Sequence, residues 1–459
     1  MIDRRHFLQC IAAATATPAV LYGCTSTPVG KDGLRRDPER ILKVRDGLRY
    51  DIVSQAETPM SDGLIVPGAH DGMAAFTGDN GNIILVCNHE LGPSRRNASA
   101  FGSYRGNAFG NLPAEAYDAG SGRTPGPGGT TTTVWDPVSG VTVRQHLSLS
   151  GTETNCAGGA TPWGSWLSCE ECFENPGTRY YDRVKTTREK RHGYVFEVPA
   201  STQGPVEAQP ITGMGRFAHE ACAVHEATGI VYLTEDQHRG LFYRYIPNVA
   251  GKLLEGGRLQ ALAIVDQPSM RTHNWDNHDV VLNKALTTRW MDLEDIDPDK
   301  NDLRLRGAAN GAASFARGEG LTAAGDLFVF TCTTGGPARL GQVFTYEPSP
   351  FEGTAAEEQS PGQLTMIAES DARSLLRNPD NLTMAPWGDL IVCEDTVDSA
   401  SHCGLVGIRP DGTQYAIAEN SYSDSELAGV CFSPDGKIMF VNIQYPGMTL
   451  AITGDWPSG

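Results

Sequence analysis

One unit recurs along this chain: an acidic residue, a short apolar strand, a turn rich in Gly and Asp, a second strand, and an acidic residue again. It is clearest in His219-Glu220-Ala221-Cys222-Ala223-Val224, followed by a turn through Ala227-Thr228-Gly229 and then Ile230-Val231-Tyr232-Leu233-Thr234-Glu235-Asp236. Relatives of the unit run over 76–90, 152–171, 317–332, 380–395 and 426–444. Each reads as a hairpin, because apolar residues flank a turn that calls for Gly, Asp or Asn. Asp79-Asn80-Gly81 and Pro434-Asp435-Gly436 are two such turns. Six irregularly spaced copies predict an all-β fold, a six-bladed β-propeller with loops inserted between blades. Outer strands fit at 130–135, 193–198, 241–245 and 341–346.

Composition agrees with one large sheet domain. The 459 residues include 52 Gly and 28 Pro with only 20% charged residues, which suits a turn-rich chain. Helical periodicity is scarce, and 371–377 is about the longest helical stretch. The segment 253–305, with Trp275-Asp276-Asn277-His278-Asp279, reads as a long acidic insertion, either a lid or a solvated excursion.

The N-terminus predicts where the protein works. Arg4-Arg5-His6-Phe7-Leu8 followed by an apolar run over 10–21 has the form of a twin-arginine export signal. The twin-arginine translocase carries folded proteins, so a metal could be acquired before export. Leu21-Tyr22-Gly23-Cys24 resembles a lipobox, although Tyr22 is bulkier than usual there. The expectation is therefore a periplasmic or cell-surface monomer, either anchored through a lipidated Cys24 or cleaved nearby and soluble. Residues 1–24 would be the signal, 25–45 a tether, and 46–459 a single propeller domain.

The net charge of −18 becomes one unit more negative once Asp3, Arg4 and Arg5 are removed. Net charge of that sign excludes nucleic acid or an anionic membrane as a partner held by overall charge. The carboxylates, however, recur at equivalent ends of the repeat. In a propeller those ends converge at one mouth of the central channel. The candidates are Glu90, Cys156, Glu170 or Glu171, Glu220, Glu235 or Asp236, Glu319, Asp380, and Glu394 or Asp395. Carboxylates gathered so closely raise one another's pKa and cannot all ionise without cations. Oxygen ligands suit Ca²⁺, whereas one thiolate among them, Cys156, points to a transition metal beside it.

The remaining cysteines read differently. Cys87, Cys222, Cys332, Cys393 and Cys431 lie inside apolar strands, as small buried hydrophobes do. Cys169 and Cys172 have the spacing of a redox or zinc pair but lack a second pair. His89 and His219 precede proposed ligands and so point to the opposite strand face. Trp163 and Trp166 read as packing between blades, and Asp389 and Asp435 as turn residues.

Asn88-His89-Glu90, the stretch from Asn155-Cys156-Ala157-Gly158-Gly159 to Cys169-Glu170-Glu171, Gly215-Arg216-Phe217-Ala218-His219-Glu220, Arg317-Gly318-Glu319-Gly320, Pro379-Asp380-Asn381-Leu382 and Asn442-Ile443-Gln444-Tyr445-Pro446-Gly447 together resemble the PhoX alkaline phosphatase family. The resemblance runs in order from about residue 62 to 450. It implies a twin-arginine signal, a six-bladed propeller and a cluster of Fe³⁺ and Ca²⁺ at the channel mouth. Residue by residue it implies Cys156 as the iron-bound thiolate, with Glu171, Glu220 and Glu319 as carboxylate partners. Glu235, Asp236 and Asp395 would fall in the calcium shell, with Glu90 and Asp380 beside them, and Arg317 would hold the phosphate. The alternative for Arg317 is a buried counterion to Glu319.

The implied activity is hydrolysis of small phosphomonoesters to release inorganic phosphate. Two other readings stand beside it. A calcium-dependent propeller lactonase or esterase would also place acidic residues and Asn381 at the channel but needs no thiolate. A noncatalytic metal-binding propeller at the cell surface would need no substrate at all.

Overall fold

The computed structural model describes residues 33–102, 112–181, 183–395 and 403–456. The export signal, the lipobox and Cys24 lie outside the described residues, within which no helix is long and apolar enough to cross a membrane. The chain forms an all-β propeller. Each of the six hairpins read from the sequence is present as an antiparallel pair, beginning with His70–Thr77 against Ile83–His89 and ending with Leu427–Phe432 against Met439–Ile443. The anticipated outer strands appear as Gly128–Asp136, Val195–Pro199, Phe242–Pro247 and Gln342–Glu347.

The first strands of the hairpins pack side by side around the channel, following chain order and returning from Leu427–Phe432 to His70–Thr77. Glycine makes this approach possible. A Cβ on Gly72 would sit 2.6 Å from Ala157 Cα, one on Gly159 2.0 Å from Cys222 O, and one on Gly429 2.2 Å from Asp71 O. Each clash is with the backbone of the next strand round the ring, so no side chain fits there. The ring closes by joining chain ends: Leu48–Gln55 pairs with Met448–Gly454 and completes the last sheet. Closure of this kind removes an unpaired edge. Apolar clusters fill the spaces between sheets, with Tyr232, Phe242, Phe328, Phe330 and Phe344 forming the largest.

Three expectations are corrected. Part of the presumed tether is sheet: Leu42–Arg45 pairs with Gln414–Asn420, and Leu42 and Val44 are buried. Alternating apolar residues gave this segment a buried face, which a free tether would lack. Residues 371–377 form turns rather than a helix. Asp371 Oδ1 accepts the Arg373 and Ser374 amides, and Gln414 Oε1 accepts those of Leu375 and Leu376. These side-chain bonds compete with helical ones. The α-helix among the described residues is Leu303–Ala309. The acidic insertion is not a lid. It supplies Gly257–Ile264 and Leu286–Asp292, the latter pairing onward to Gln363–Glu369 and joining two neighbouring sheets.

Candidate metal centre

Each hairpin enters the channel mouth in the same local geometry. In the first five, the first strand opens on a paired residue, slips register, and resumes pairing three residues later: His70 then Met73, Asn155 then Gly158, His219 then Cys222, Gly318 then Leu321, Pro379 then Leu382. A bulge re-aims the residue it contains. The residues immediately after the opening pairs are Asp71, Cys156, Glu220, Glu319 and Asp380. In the sixth hairpin the slip falls between Ala428 and Cys431, the corresponding position is Gly429, and an acid enters from two residues before the slip as Glu426.

The second strands contribute the residue just beyond their last pair: Glu90, Glu171, Asp236 and Asp395. Most of these side chains line a cavity of about 830 Å³, whose wall includes Glu90, Cys156, Glu171, Asp236, Glu319, Asp380, Asp395 and Glu426. Its cations are Arg95 and Arg317.

Three sets of ligand atoms converge within 4.8 Å: Cys156, Glu171 and Glu220; Glu220, Glu319 and Asp380; and Asp71, Glu90 and Glu426. Glu220 belongs to two of them. Among the described residues neither Glu220 oxygen has a nitrogen or hydroxyl donor, although the residue is fully buried. An uncompensated buried carboxylate is costly. Burial, reinforced by neighbouring carboxylates, pushes Asp71, Glu171, Glu220, Glu319, Asp380 and Glu426 well above the usual carboxylate range. Glu90 rises to about 7 through burial, with Arg95 opposing and Asp395 and Asp236 adding. The Cys156 thiol is pushed up by burial and then by Asp71, Glu220, Glu171 and Glu90. A bound multivalent cation inverts each of these shifts. The donor set therefore fits metal ions.

Backbone positions are fixed by a repeated latch. The second-strand residue just inside the mouth reaches across to a main-chain carbonyl on the next blade. Asn88 Nδ2 donates to Cys156 O at 3.0 Å, Thr234 Oγ1 to Glu319 O at 2.5 Å, Thr331 Oγ1 to Asp380 O at 2.7 Å, and Asn442 Nδ2 to Asp71 O at 2.5 Å. Each accepting carbonyl belongs to a residue of the cluster. Gln444 Nε2 adds bonds to Asp71 Oδ2 and Glu90 Oε2, at 3.1 and 2.8 Å.

Arg317, at φ 58°, is clamped by Asp236, which accepts Nε at 2.7 Å and Nη2 at 2.6 Å, and lies 3.0 Å from Glu319. Both readings of this residue meet here, since it is a counterion and also lines the cavity. Arg95 lies over the Tyr445 ring at 4.0 Å and 4.0 Å from Glu90 Oε2, with half its side chain exposed.

The structure does not bring Glu235 to the cluster. Its Oε2 accepts Leu241 N–H and Tyr243 O–H, and Arg304 lies 3.9 Å from Oε1. Consecutive strand residues face opposite ways, so of the pair Glu235 and Asp236 only Asp236 meets the cavity. The same choice selects Glu171 over Glu170 and Asp395 over Glu394. His89 and His219 face away from the cavity, bonded to Gly68 O and Gly215 O. Cys87, Cys156, Cys169, Cys172, Cys222, Cys332, Cys393 and Cys431 are not in disulfides among the described residues. Cys172 faces Glu153 O while Cys169 interacts with Cys222, so the two do not pair with each other. Trp166 packs in the core as expected, but Trp163 is 38% exposed and bonded to Glu197.

Sequence reasoning missed Asp71, Glu426 and Arg95. His70-Asp71-Gly72 has the same form as His219-Glu220-Ala221, which would have revealed Asp71 had the first hairpin been started six residues earlier. Glu426 marked only the start of its repeat. Arg95 sits in a 3₁₀ turn, Pro93–Ala98, outside any periodic pattern.

Comparison with known proteins places these features in context. The family model described as alkaline phosphatase PhoX matches residues 29–447. Among solved structures, PhoX of Pseudomonas fluorescens in complex with vanadate, a transition state analogue, is similar with a TM-score of 0.66 at 17% identity, over 90% of this chain and 96% of that one. The periplasmic gluconolactonase PpgL of Pseudomonas aeruginosa is similar at a TM-score of 0.42 and 13% identity, over 90% of this chain and 93% of that one. A gluconolactonase of Xanthomonas campestris gives 0.42 and 11%, over 90% and 99%. No curated protein matches the chain.

Proposed function

This chain belongs to the alkaline phosphatase PhoX family, and on that premise we propose that it is an exported phosphomonoesterase whose centre holds Fe³⁺ and Ca²⁺. The observation that carries the reading is the composition of the cavity wall: one thiol and a ring of carboxylates, with arginine as the cation. Cys156, Glu171 and Glu220 are the set suited to iron, because a thiolate favours a transition metal. Asp71, Glu90 and Glu426 offer oxygen alone and suit calcium. Glu220 is shared between the thiolate set and a further oxygen-only set with Glu319 and Asp380, and would serve both. Bound there, the metal ions would supply the positive charge that a phosphoryl dianion needs and would activate water for attack.

The chain's own groups do the rest. Asp236 and Glu319 orient the Arg317 guanidinium, leaving Nη1 without a protein partner among the described residues and able to donate to a phosphoryl oxygen. Arg95 supplies a second cation from the first hairpin's exit loop, steered by its contact with the Tyr445 ring. Charge on the transferring group is thus met by donors already in position, which is where most of the catalytic effect arises. Export by the twin-arginine translocase, with or without a lipid on Cys24, follows from the N-terminal motif and fits an enzyme that frees phosphate outside the cytoplasm.

Elemental analysis of native protein and Cys156→Ser, with p-nitrophenyl phosphate turnover on the same samples, tests the reading. Iron and calcium in the native protein, with iron and turnover both lost in the variant, is the expected outcome. Calcium alone, indifferent to the substitution, would overturn it and favour the lactonase.

A further inference from the structure

A second group of cations lies beside the cavity, on three loops that share its face. The strand Val231–Glu235 ends at the mouth, so its exit loop, with His238 and Arg239, lies on that face. Leu327–Cys332 ends equivalently and leads to Arg339. Gly257–Ile264 also ends there and leads to Arg271, His273 and Trp275. Backbone bonds staple the loops around Arg317: its N–H donates to Gln237 O and its carbonyl accepts Thr333 N–H, while Gly336 N–H donates to His273 O. Trp275 is the plate between them. Its indole N–H donates to Thr334 O at 2.6 Å, His273 stacks on it at 4.1 Å, and the Arg339 guanidinium lies 4.7 Å from its ring centroid.

Three observations set this group apart. Carboxylates outnumber Lys and Arg in the chain by 55 to 37, yet the guanidiniums of Arg239, Arg271 and Arg339 have no ion pair or hydrogen bond among the described residues. All three act electrostatically on His273, with Asp276 the acidic group in reach. His273 is buried, and its Nε2 has no partner among the described residues. Finally, Arg239 and Arg339 have φ of 62° and 55°, matching Arg317 at 58°. Side chains other than Gly, Asn and Asp rarely take that conformation, and where they do it marks a functional constraint more often than chance.

Resting on the phosphatase reading, we propose that Arg239, Arg271 and Arg339 with His273 form a subsite for a second phosphate on the substrate. The preferred substrates are then phosphomonoesters that carry another phosphate on the same small molecule. Arg239 follows Asp236, which clamps Arg317, by three residues, a backbone span of at most about 10 Å, so its loop starts at the centre that would hold the first phosphate. Arginine suits the task through bidentate bonding to phosphate.

The test compares metal-loaded wild type with the Arg239→Asn/Arg339→Asn double variant, Asn being tolerant of positive φ. Substrates are fructose 1,6-bisphosphate and p-nitrophenyl phosphate. The wild type should show a KM at least tenfold lower for the bisphosphate. The double variant should lose that advantage while keeping kcat/KM on p-nitrophenyl phosphate within twofold. Arg339→Lys, which keeps the charge but not the planar fork, should recover part of it, and added salt should erode it. Turnover of both esters without preference in the wild type, or equal losses on both in the variant, overturns the subsite alone. No turnover of either ester at full metal content overturns the phosphatase reading and the subsite with it.

Discussion

Glu170 and Glu171 are neighbours in sequence and opposites in role. Glu170 accepts the amides of Glu153, Gly193 and Tyr194 at 2.9, 2.8 and 3.2 Å, and His192 Nδ1 at 2.6 Å. Glu171 faces the cavity among Asp236, Glu220 and Glu90, all of which raise its pKa after burial has done so. The same division separates Glu235 from Asp236 and Glu394 from Asp395, where Glu394 accepts the Arg377 and Gly404 amides at 2.9 and 3.0 Å. One tier of carboxylates ties loops to the sheet, and the tier one residue further on is left for cations. Composition does not distinguish them, because both are acids at strand ends. The donors each one meets do.

Substitutions that treat the tiers as equivalent should break that contrast. Glu170→Ala removes a carboxylate that satisfies three buried amides and pairs with His192, and should cost about 4 kcal/mol of stability in a denaturant titration. A variant within 1 kcal/mol of wild type, on the order of a surface substitution, would mean the strut role is misassigned.

Titration sharpens the same tier. Burial alone would lower the His192 pKa, but the Glu170 charge and its bonds with Asp118 and Glu170 raise it to about 10. A histidine whose folded pKa lies above its unfolded value stabilises fully below the unfolded pKa and loses that contribution as pH rises through the folded one. Stability should therefore fall by about 4 kcal/mol from pH 6.5 toward pH 10. His192→Gln should flatten the slope, and an unchanged slope in that variant would assign it elsewhere.

In the cavity tier, Glu220→Gln should leave the fold intact and reduce phosphomonoesterase turnover about a hundredfold or more, with bound metal falling in parallel. Metal-depleted variant should be at least as resistant to heat as metal-depleted wild type, because a neutral amide of the same shape replaces a carboxyl that burial and its neighbours already keep from ionising. The smallest effect belongs to a latch. Thr331→Val removes one hydrogen bond to Asp380 O and should cost about 1 kcal/mol, read as a lower Tm. Its faster metal loss to a chelator would link the latch to the centre.

Much of this was legible beforehand because hairpins advertise themselves through alternation and turn residues. The six pairs and their mouth-facing ends follow from local pattern. Cys156, Glu171, Glu220, Glu319, Asp236, Asp395, Glu90 and Asp380 were all found at those ends. Glu235 was misplaced because adjacent acids cannot be told apart until the register of the pair is known, and His219 opposite Glu235 sets it. Glu426 escaped because its hairpin slips at a different position, with Gly429 where the others carry a ligand. Arg95 and the Trp275 cations lie on loops, where neither period nor turn chemistry predicts which side chains meet. Strand 42–45 looked like tether because its partner, 414–420, is far away in sequence.

The latches have a consequence for the order of events in the life of the protein. Each one ties a carbonyl of the centre to the preceding blade, and the last ties Asp71, near the start of the chain, to Asn442, near its end. The complete pocket therefore forms only after the last blade has been made, although the Cys156, Glu171 and Glu220 set draws on the second and third hairpins alone. Ligand sets such as Asp71, Glu90 and Glu426 come into being only when the final blade meets the first. A pulse of metal given during synthesis would find at most part of the centre, and the same pulse given after ring closure would find the finished site.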